Sequence, residues 1–306
     1  MYSRRRALWL YPLFQIPLML FALCLLAAAL CWLLGLGRPN VAAAIALDLS
    51  SSTYENQPFN APNTIVNQEL EAVRSYLTEN AKLNRPNQVQ VFGFGALVVP
   101  LTPSFQSDSA QVQTALAQTL ADPNLSQRVL PGSTNVDAAL QSAQTALSAL
   151  PAGCKEILLV TDGTGDRIAD TTLQTAKASK TRINVLLVTS DLGQSLKNID
   201  LAGAALQTGG VILPGQVGRL TTLFIDQFFT RFNSNLKWIF FWLGLAWVAL
   251  MWLLILPLDR WILQYWLKLP MNTSGQITLG NALFWTVLTP IIVWQVFGIP
   301  LISPCS

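Results

Sequence analysis

Histidine is absent from all 306 residues. That excludes histidine-ligated zinc, Ser-His-Asp triads and Cys-His dyads. Charge is scarce, at 11% of residues, where ordinary soluble domains carry about 25%. Cysteine is rare too: Cys24, Cys31, Cys154 and Cys305. No CxxC pair occurs, and one cysteine in the central segment leaves no disulfide within it. The central segment also lacks a basic stripe with interleaved aromatics, which argues against a nucleic-acid partner.

What is there is apolar: 52% of the chain is hydrophobic and the mean hydropathy is +0.42. The excess lies at the two ends. Between Asn40 and Asn233 the chain reads as a soluble domain with fifteen acids against twelve Lys or Arg, a net charge near −3. Outside it lie Arg4, Arg5, Arg6, Arg38, Lys237, Arg260 and Lys268, with Asp259 as the single acid. The overall charge of +3 therefore belongs to membrane flanks.

Arg4-Arg5-Arg6 precede an uncharged run from Ala7 to Leu36. About 20 apolar residues span a bilayer as a helix, and signal-peptide cores are shorter, so the run reads as an uncleaved anchor. Pro12 and Pro17 are expected to kink or delay its start. Trp238–Leu258 reads as a second span. Arg260, Gln264 and Lys268 follow at i, i+4 and i+8, opposite Trp261, Ile262, Tyr265, Trp266 and Leu269. That pattern predicts a short amphipathic helix in the headgroup region. Ala282–Ile302 is long enough to span again, with a re-entrant segment as the alternative. The expected organisation is 1–39 cytoplasmic N-terminus and anchor, 40–233 domain, and 234–306 the remaining membrane segments. The arginine cluster places the N-terminus in the cytoplasm and the domain on the extracytoplasmic side, periplasmic or extracellular in a bacterium. Arg260 and Lys268 then return to the cytoplasm, whereas Arg38 and Lys237 run against the rule.

Within the domain, strand-like and helix-like segments alternate. Strands are expected at Val41–Leu47, within Gln88–Pro100, and at Ile157–Thr161, Ile183–Thr189 and Val211–Leu213. Gly93 and Gly95 mark a turn or a bulge between two strands in the second of these. Helices are expected at Asn63–Lys82, Asp108–Leu120, Asn135–Leu150, Asp170–Lys180, Asp200–Thr208 and Leu220–Phe232. On the first, Val66, Leu70, Val73 and Leu77 share a face. Gly209-Gly210 is a helix C-cap signal. The alternation predicts an α/β fold, a doubly wound and mainly parallel sheet with helices on both faces.

The stretch Ala44-Ile45-Ala46-Leu47-Asp48-Leu49-Ser50-Ser51-Ser52 ends an apolar strand in an aspartate with hydroxyls at alternate positions. Ligands in open α/β sheets sit beyond the carboxyl ends of strands. One carboxylate and two neutral oxygens suit a hard cation such as Mg2+. A second apolar strand ends in Thr161-Asp162-Gly163. Pro131-Gly132-Ser133-Thr134-Asn135 is a loop just before a helix. Each has a plainer reading, Asp162 as a turn residue and Thr134 as a helix cap or pre-cap; three such segments at one sheet edge argue for a shared site.

AIALDLSSS, GSTNVDAAL and LLVTDG, in this order, resemble the von Willebrand factor type A domain and its metal-ion-dependent adhesion site. VQVFGFGALVVPLT resembles that family's second and third strands. The resemblance covers about Val41 to Phe232. It implies Ser50 and Ser52 as direct hydroxyl ligands, Thr134 as a ligand in the partner-bound state, and Asp48 and Asp162 holding the ion mainly through water. It implies Mg2+ as cofactor, with Mn2+ or Ca2+ as alternatives, and a protein partner whose Asp or Glu carboxylate completes the metal shell. Thr53 departs from the family, where Met is common, at a position that is not a ligand. The flanking spans resemble the layout of bacterial Bat-type members, some encoded near MoxR-type ATPases. That layout adds an AAA ATPase or other membrane-complex subunits to the candidate partners, beside the lipid bilayer.

The reading is a membrane-anchored, cation-dependent binding module and not an enzyme. A structural subunit with a vestigial metal site is the alternative. An aspartate-dependent phosphotransferase is disfavoured because position 50, where such enzymes place an acid, is serine.

Overall fold

A computed structural model describes residues 11–53, 64–151, 153–163, 167–189, 199–216, 219–298 and 300. Arg4-Arg5-Arg6, the first residues of the expected anchor, Asn63, and 299 and 301–302 at the end of the third expected span lie outside the described residues. The elements run in the order α1 (Pro12–Leu34), β1 (Val41–Asp48), α2 (Ile65–Ala81), β2 (Gln88–Phe94), β3 (Val98–Pro100), α3 (Ser109–Leu120), α4 (Leu125–Val129) and α5 (Val136–Ser148). Then come β4 (Cys154–Thr161), α6 (Asp170–Ala178), β5 (Thr181–Thr189), α7 (Ile199–Thr208), β6 (Ile212–Gln216) and α8 (Leu220–Leu223). A π-helical stretch (Phe224–Phe229) leads into α9 (Thr230–Phe232). The chain closes with α10 (Leu236–Leu253), α11 (Ile255–Pro257), a second π-helical stretch (Leu258–Trp266) and α12 (Met271–Phe297). Two compact units result, Asn40–Asn233 and Met1–Pro39 with Ser234–Ser306.

The first unit is a six-stranded sheet in the order β3-β2-β1-β4-β5-β6, parallel except for the β2–β3 hairpin. The chain winds outward from β1 to β3, then returns to β4 on β1's other side. The β1–β4 seam is therefore where strand order reverses, the crevice that ligands use in this fold. All eight residues of β1 are buried, as a central parallel strand covered on both faces requires. Ala42, Ala44 and Ala46 share one core with Leu140, Leu147, Leu173 and Leu201 from α5, α6 and α7. On α2, Val66, Leu70, Val73 and Leu77 are buried, and this helix packs against α8 and the first π-helical stretch. Phe224, Phe228 and Phe232 are buried there, each contributing about 1.5–3 kcal/mol. Tyr76 meets Phe229 edge-on at 5.3 Å between ring centroids.

Several boundaries differ from the sequence reading for physical reasons. β4 starts at Cys154 because Lys155 and Glu156 join the ladder beside Thr181 and Arg182. Glu156 is buried and accepts from Asn184 Nδ2 at 2.9 Å, with Arg182 at 3.5 Å. β6 carries Pro214, which an edge strand tolerates. Helix α4 is too short for periodicity to reveal. Gly209 and Gly210 do different work. Gly209 has φ +76° after α7, while a Cβ on Gly210 would stand 2.0 Å from the Ile183 carbonyl oxygen.

In the second unit α1 packs on α10, and α10 on α12. Pro12 begins α1, where its missing N–H costs nothing, and Pro17 lies inside. Three helical segments are long and apolar enough to cross a membrane: Pro12–Leu34, Leu236–Trp266 and Met271–Phe297. They expose large apolar side chains, among them Met19, Trp32, Trp266 and Trp294, as a lipid-facing surface does. Asn235 Nδ2 donates to the Cys31 carbonyl at 2.6 Å, and Trp252 Nε1 to Thr286 Oγ1 at 2.9 Å.

Two differences appear here as well. The segment after 258 is no separate α-helix: the second helix continues into it as π-helix, and Gln264 reaches Asp259, five residues back, at 3.0 Å. The last helix starts at Met271, eleven residues before the expected span. Its N-terminal turns are polar, and Ser274 and Thr278 donate back to the carbonyls of Met271 and Ser274.

Candidate functional site

β1 and β4 end side by side. Leu47 pairs with Val160, so Asp48 and Thr161 are neighbours at the seam. The Thr161 hydroxyl donates to Asp48 Oδ2 at 2.6 Å, and the Ser50 N–H donates to Asp48 Oδ1 at 3.0 Å. Beyond Asp48 the chain turns once through Ser51–Thr53 as a 3-10 helix. The Thr53 hydroxyl holds that turn, donating to the carbonyls of Asp48 at 3.1 Å and Ser50 at 2.7 Å. It leaves the hydroxyl oxygens of Ser50 and Ser52 3.0 Å apart. Gly93 gives the crossing chain room, since a Cβ there would stand 2.3 Å from Leu49 Cδ1.

The third segment is tied to the same turn. The Ser51 N–H donates to the Pro131 carbonyl at 2.9 Å, and the Asn135 N–H to that of Gly95 at 2.8 Å. Asn135, and not Thr134, caps α5, its Oδ1 accepting from the Ala138 N–H at 2.9 Å. Thr134 is buried and stands one residue before the cap. Asp162 follows Thr161 directly and is half-buried. All five residues singled out from the sequence thus lie on segments that meet at one sheet edge.

Glu69 on α2 belongs to the same neighbourhood. It is fully buried, and neither carboxylate oxygen has a hydrogen-bond partner. The charges of Asp48 and Asp162 both reach it and, after burial itself, hold its proton on well above the usual carboxylate range. Burial also pushes Asp48 up to about 6; hydrogen bonds from Ser50 and Thr161 oppose the shift, and the Asp162 charge adds to it. Neither Asp48 nor Glu69 forms an ion pair with a Lys or Arg among the described residues.

The sheet edge here is therefore rich in carboxyl groups and hard oxygen donors, and no Lys or Arg among the described residues pairs with Asp48 or Glu69. The Ser50 and Ser52 hydroxyls hydrogen-bond to each other at 3.0 Å; adjacent oxygens around an octahedral Mg2+ with bonds of about 2.1 Å stand about as far apart. Among the described residues no three His, Cys, Asp or Glu side chains are grouped to hold a metal. A cation here must therefore rely on the hydroxyls, and this donor set fits Mg2+ or Mn2+ better than a soft metal.

Three features escape a sequence reading. Thr161 hides in the apolar run before Asp162, although a hydroxyl at a strand's last position is a fair signal. Thr53 is no ligand, but its hydroxyl shapes the turn that presents the ligands. Glu69 sits beside Leu70, and a carboxylate bordering an apolar stripe marks no site by itself.

Residues 43–164 match the family model of the von Willebrand factor type A domain, and the sheet and its helices have that domain's fold. The chain thus carries a von Willebrand factor type A domain together with three helices suited to a bilayer. Among solved structures, a von Willebrand factor type A protein from Catenulispora acidiphila is 16% identical with a TM-score of 0.50, covering 64% of this chain and 43% of that one. BatB from Bacteroides thetaiotaomicron is 17% identical with a TM-score of 0.47, covering 63% and 98%. An aerotolerance-related membrane protein from Bacteroides fragilis is 17% identical with a TM-score of 0.45, covering 60% and 95%. At such identities the likeness is one of fold. No curated protein matches the sequence.

Proposed function

We propose that the domain is a divalent-cation-dependent protein-binding module, held at a membrane by the flanking helices. Ser50, Ser52 and Thr134 would hold Mg2+ or Mn2+ through hydroxyls, with Asp48 and Asp162 acting mainly through water. A cation bound largely by neutral oxygens keeps much of its charge. It would supply an electrophilic centre that a partner's Asp or Glu carboxylate can satisfy through a charge-assisted contact. The observation that carries this reading is the convergence of three oxygen-bearing segments on the β1–β4 seam, with Asp48 fixed by two hydrogen bonds.

Binding accounts for the site better than catalysis does. Histidine is absent from the chain, and among the described residues Asp48 pairs with no cationic side chain that could hold a phosphate. The arginines at 4–6 favour a cytoplasmic N-terminus, which would place the domain on the extracytoplasmic side. Subunits of a membrane complex, an AAA ATPase among them, are the partners to look for.

The test is a pull-down of the tagged, detergent-solubilised full chain in Mg2+ and in EDTA, read by mass spectrometry. The expected result is a protein retained in Mg2+, released by EDTA, and lost with Asp48→Ala. Equal retention in EDTA would overturn the reading.

A further inference from the structure

Among the described residues of Asn40–Asn233, the large apolar side chains left exposed are Leu97, Leu130 and Leu206. The third is on α7; the first two belong to the site edge. β2 ends at Phe94, which pairs with Asp48, and the turn into β3 carries Leu97. The loop that closes α4 carries Leu130. The Leu97 N–H donates to the Val129 carbonyl at 3.0 Å, and the Ala96 N–H to the Leu130 carbonyl at 2.9 Å. Gly95 permits this approach, since a Cβ there would stand 3.0 Å from both carbonyl oxygens. The same two segments hold the proposed ligands. Pro131 accepts from the Ser51 N–H, between Ser50 and Ser52, and Gly95 accepts from the Asn135 N–H, next to Thr134.

Leu130 is also strained. Its φ is +53°, and among the described non-glycine residues with positive φ it is the apolar one, beside Lys180 and Lys268. A leucine in this conformation crowds its own backbone, and glycine or asparagine is the common choice after a helix. Burial offsets only part of that strain, because Leu130 stays 48% exposed and Leu97 51%. A paired apolar patch on a strained backbone, tied to a polar site, points to a contact made outside the chain.

We propose that Leu97 and Leu130 are the apolar rim of the partner-binding surface, and that the partner presents a carboxylate with an apolar side chain beside it. This rests on the cation-binding reading above and adds a second element of recognition. Charge alone would accept any exposed Asp or Glu. The leucines select among acidic segments, because a polar neighbour would lose water against them without gaining a hydrogen bond.

The experiment pans a phage library of short random peptides with a fixed central Asp on the solubilised full chain in Mg2+. Enriched peptides are resynthesised, and their Kd is measured in Mg2+ and in EDTA for wild type, Leu130→Asn and Leu97→Ser. Asparagine suits the left-handed backbone, so Leu130→Asn is expected to melt no lower than wild type. Enriched peptides should carry Leu, Ile, Phe or Met close to the fixed Asp and lose binding in EDTA. They should bind each variant about tenfold more weakly, the effect of losing burial of a half-exposed leucine. Enrichment without an apolar neighbour, or equal affinity of wild type and both variants in Mg2+, would overturn this inference alone. Lowered melting points with unchanged affinity would assign the leucines to the fold. Peptides held equally in EDTA, or no peptide enriched in Mg2+, would overturn the cation-binding reading and this inference with it.

Discussion

The Thr161 hydroxyl stands 2.6 Å from Asp48 Oδ2 and donates to it across the seam between β4 and β1. Both groups are buried, so water cannot replace the bond. Thr161→Val keeps the shape and removes the donor. Leaving a buried acceptor unpaired costs about 1–3 kcal/mol, or a few degrees of melting temperature for a domain of this size. An unchanged melting point for Thr161→Val in EDTA would show that the bond does not anchor the carboxylate.

Ser50 is buried and Ser52 exposed, and their hydroxyls hydrogen-bond to each other at 3.0 Å. Removing both should spare the fold and impair the ion site. The double variant Ser50→Ala, Ser52→Ala is expected to melt within a few degrees of wild type in EDTA. It should lose the stabilisation that saturating Mg2+ confers on the wild type, about 2.7 kcal/mol at a hundredfold excess over Kd. Full Mg2+ stabilisation of the double variant would remove these hydroxyls from the ligand set.

Glu156 sets a pH dependence apart from the ion. Burial pushes it up to about 7, against the opposing pull of Arg182, Asn184 and Arg231. The folded state thus holds this proton more tightly than the unfolded chain, whose glutamate titrates near 4.5. The stabilisation is complete below about 4.5 and is lost as pH rises to about 7, a change of about 3 kcal/mol. Asp48, raised in the same direction, adds to the fall. Urea unfolding in EDTA should show stability decreasing over that range, with Glu156→Gln flattening the upper part. A curve that rises from pH 4.5 to 7 would contradict this.

Gly209 and Gly210 differ in what a methyl group would meet. At Gly209 it meets open space and a positive φ, which costs about 1–2 kcal/mol. At Gly210 it meets the Ile183 carbonyl oxygen at 2.0 Å, so α7 or β5 must move. Gly210→Ala is expected to lower the urea midpoint clearly more than Gly209→Ala. The reverse order would contradict the packing described.

The parallel sheet was legible because β1, Ile157–Val160 of β4 and Val185–Val188 of β5 are apolar runs separated by amphipathic segments. The site edge was legible because Asp48 and Asp162 each end such a run. What stayed hidden depends on tertiary partners. Glu156 looks like a solvent residue until Arg182 and Asn184 arrive from the next strand. Glu69 looks like a helix-surface acid until the fold buries it. The continuation of the second apolar helix into π-helix was unreadable for another reason. Periodicity arguments assume 3.6 residues per turn, and residues 258–266 follow another pitch.

The central claim is that neutral hydroxyls and outlying carboxylates on three segments hold one divalent cation. Its most direct test is the stoichiometry of Mn2+ on the solubilised full chain, measured by electron paramagnetic resonance for wild type and Asp48→Ala. The account predicts one tightly held ion per chain in the wild type, displaced by excess Mg2+, and none in Asp48→Ala. Equal Mn2+ binding by the two proteins, or none by either, would contradict it.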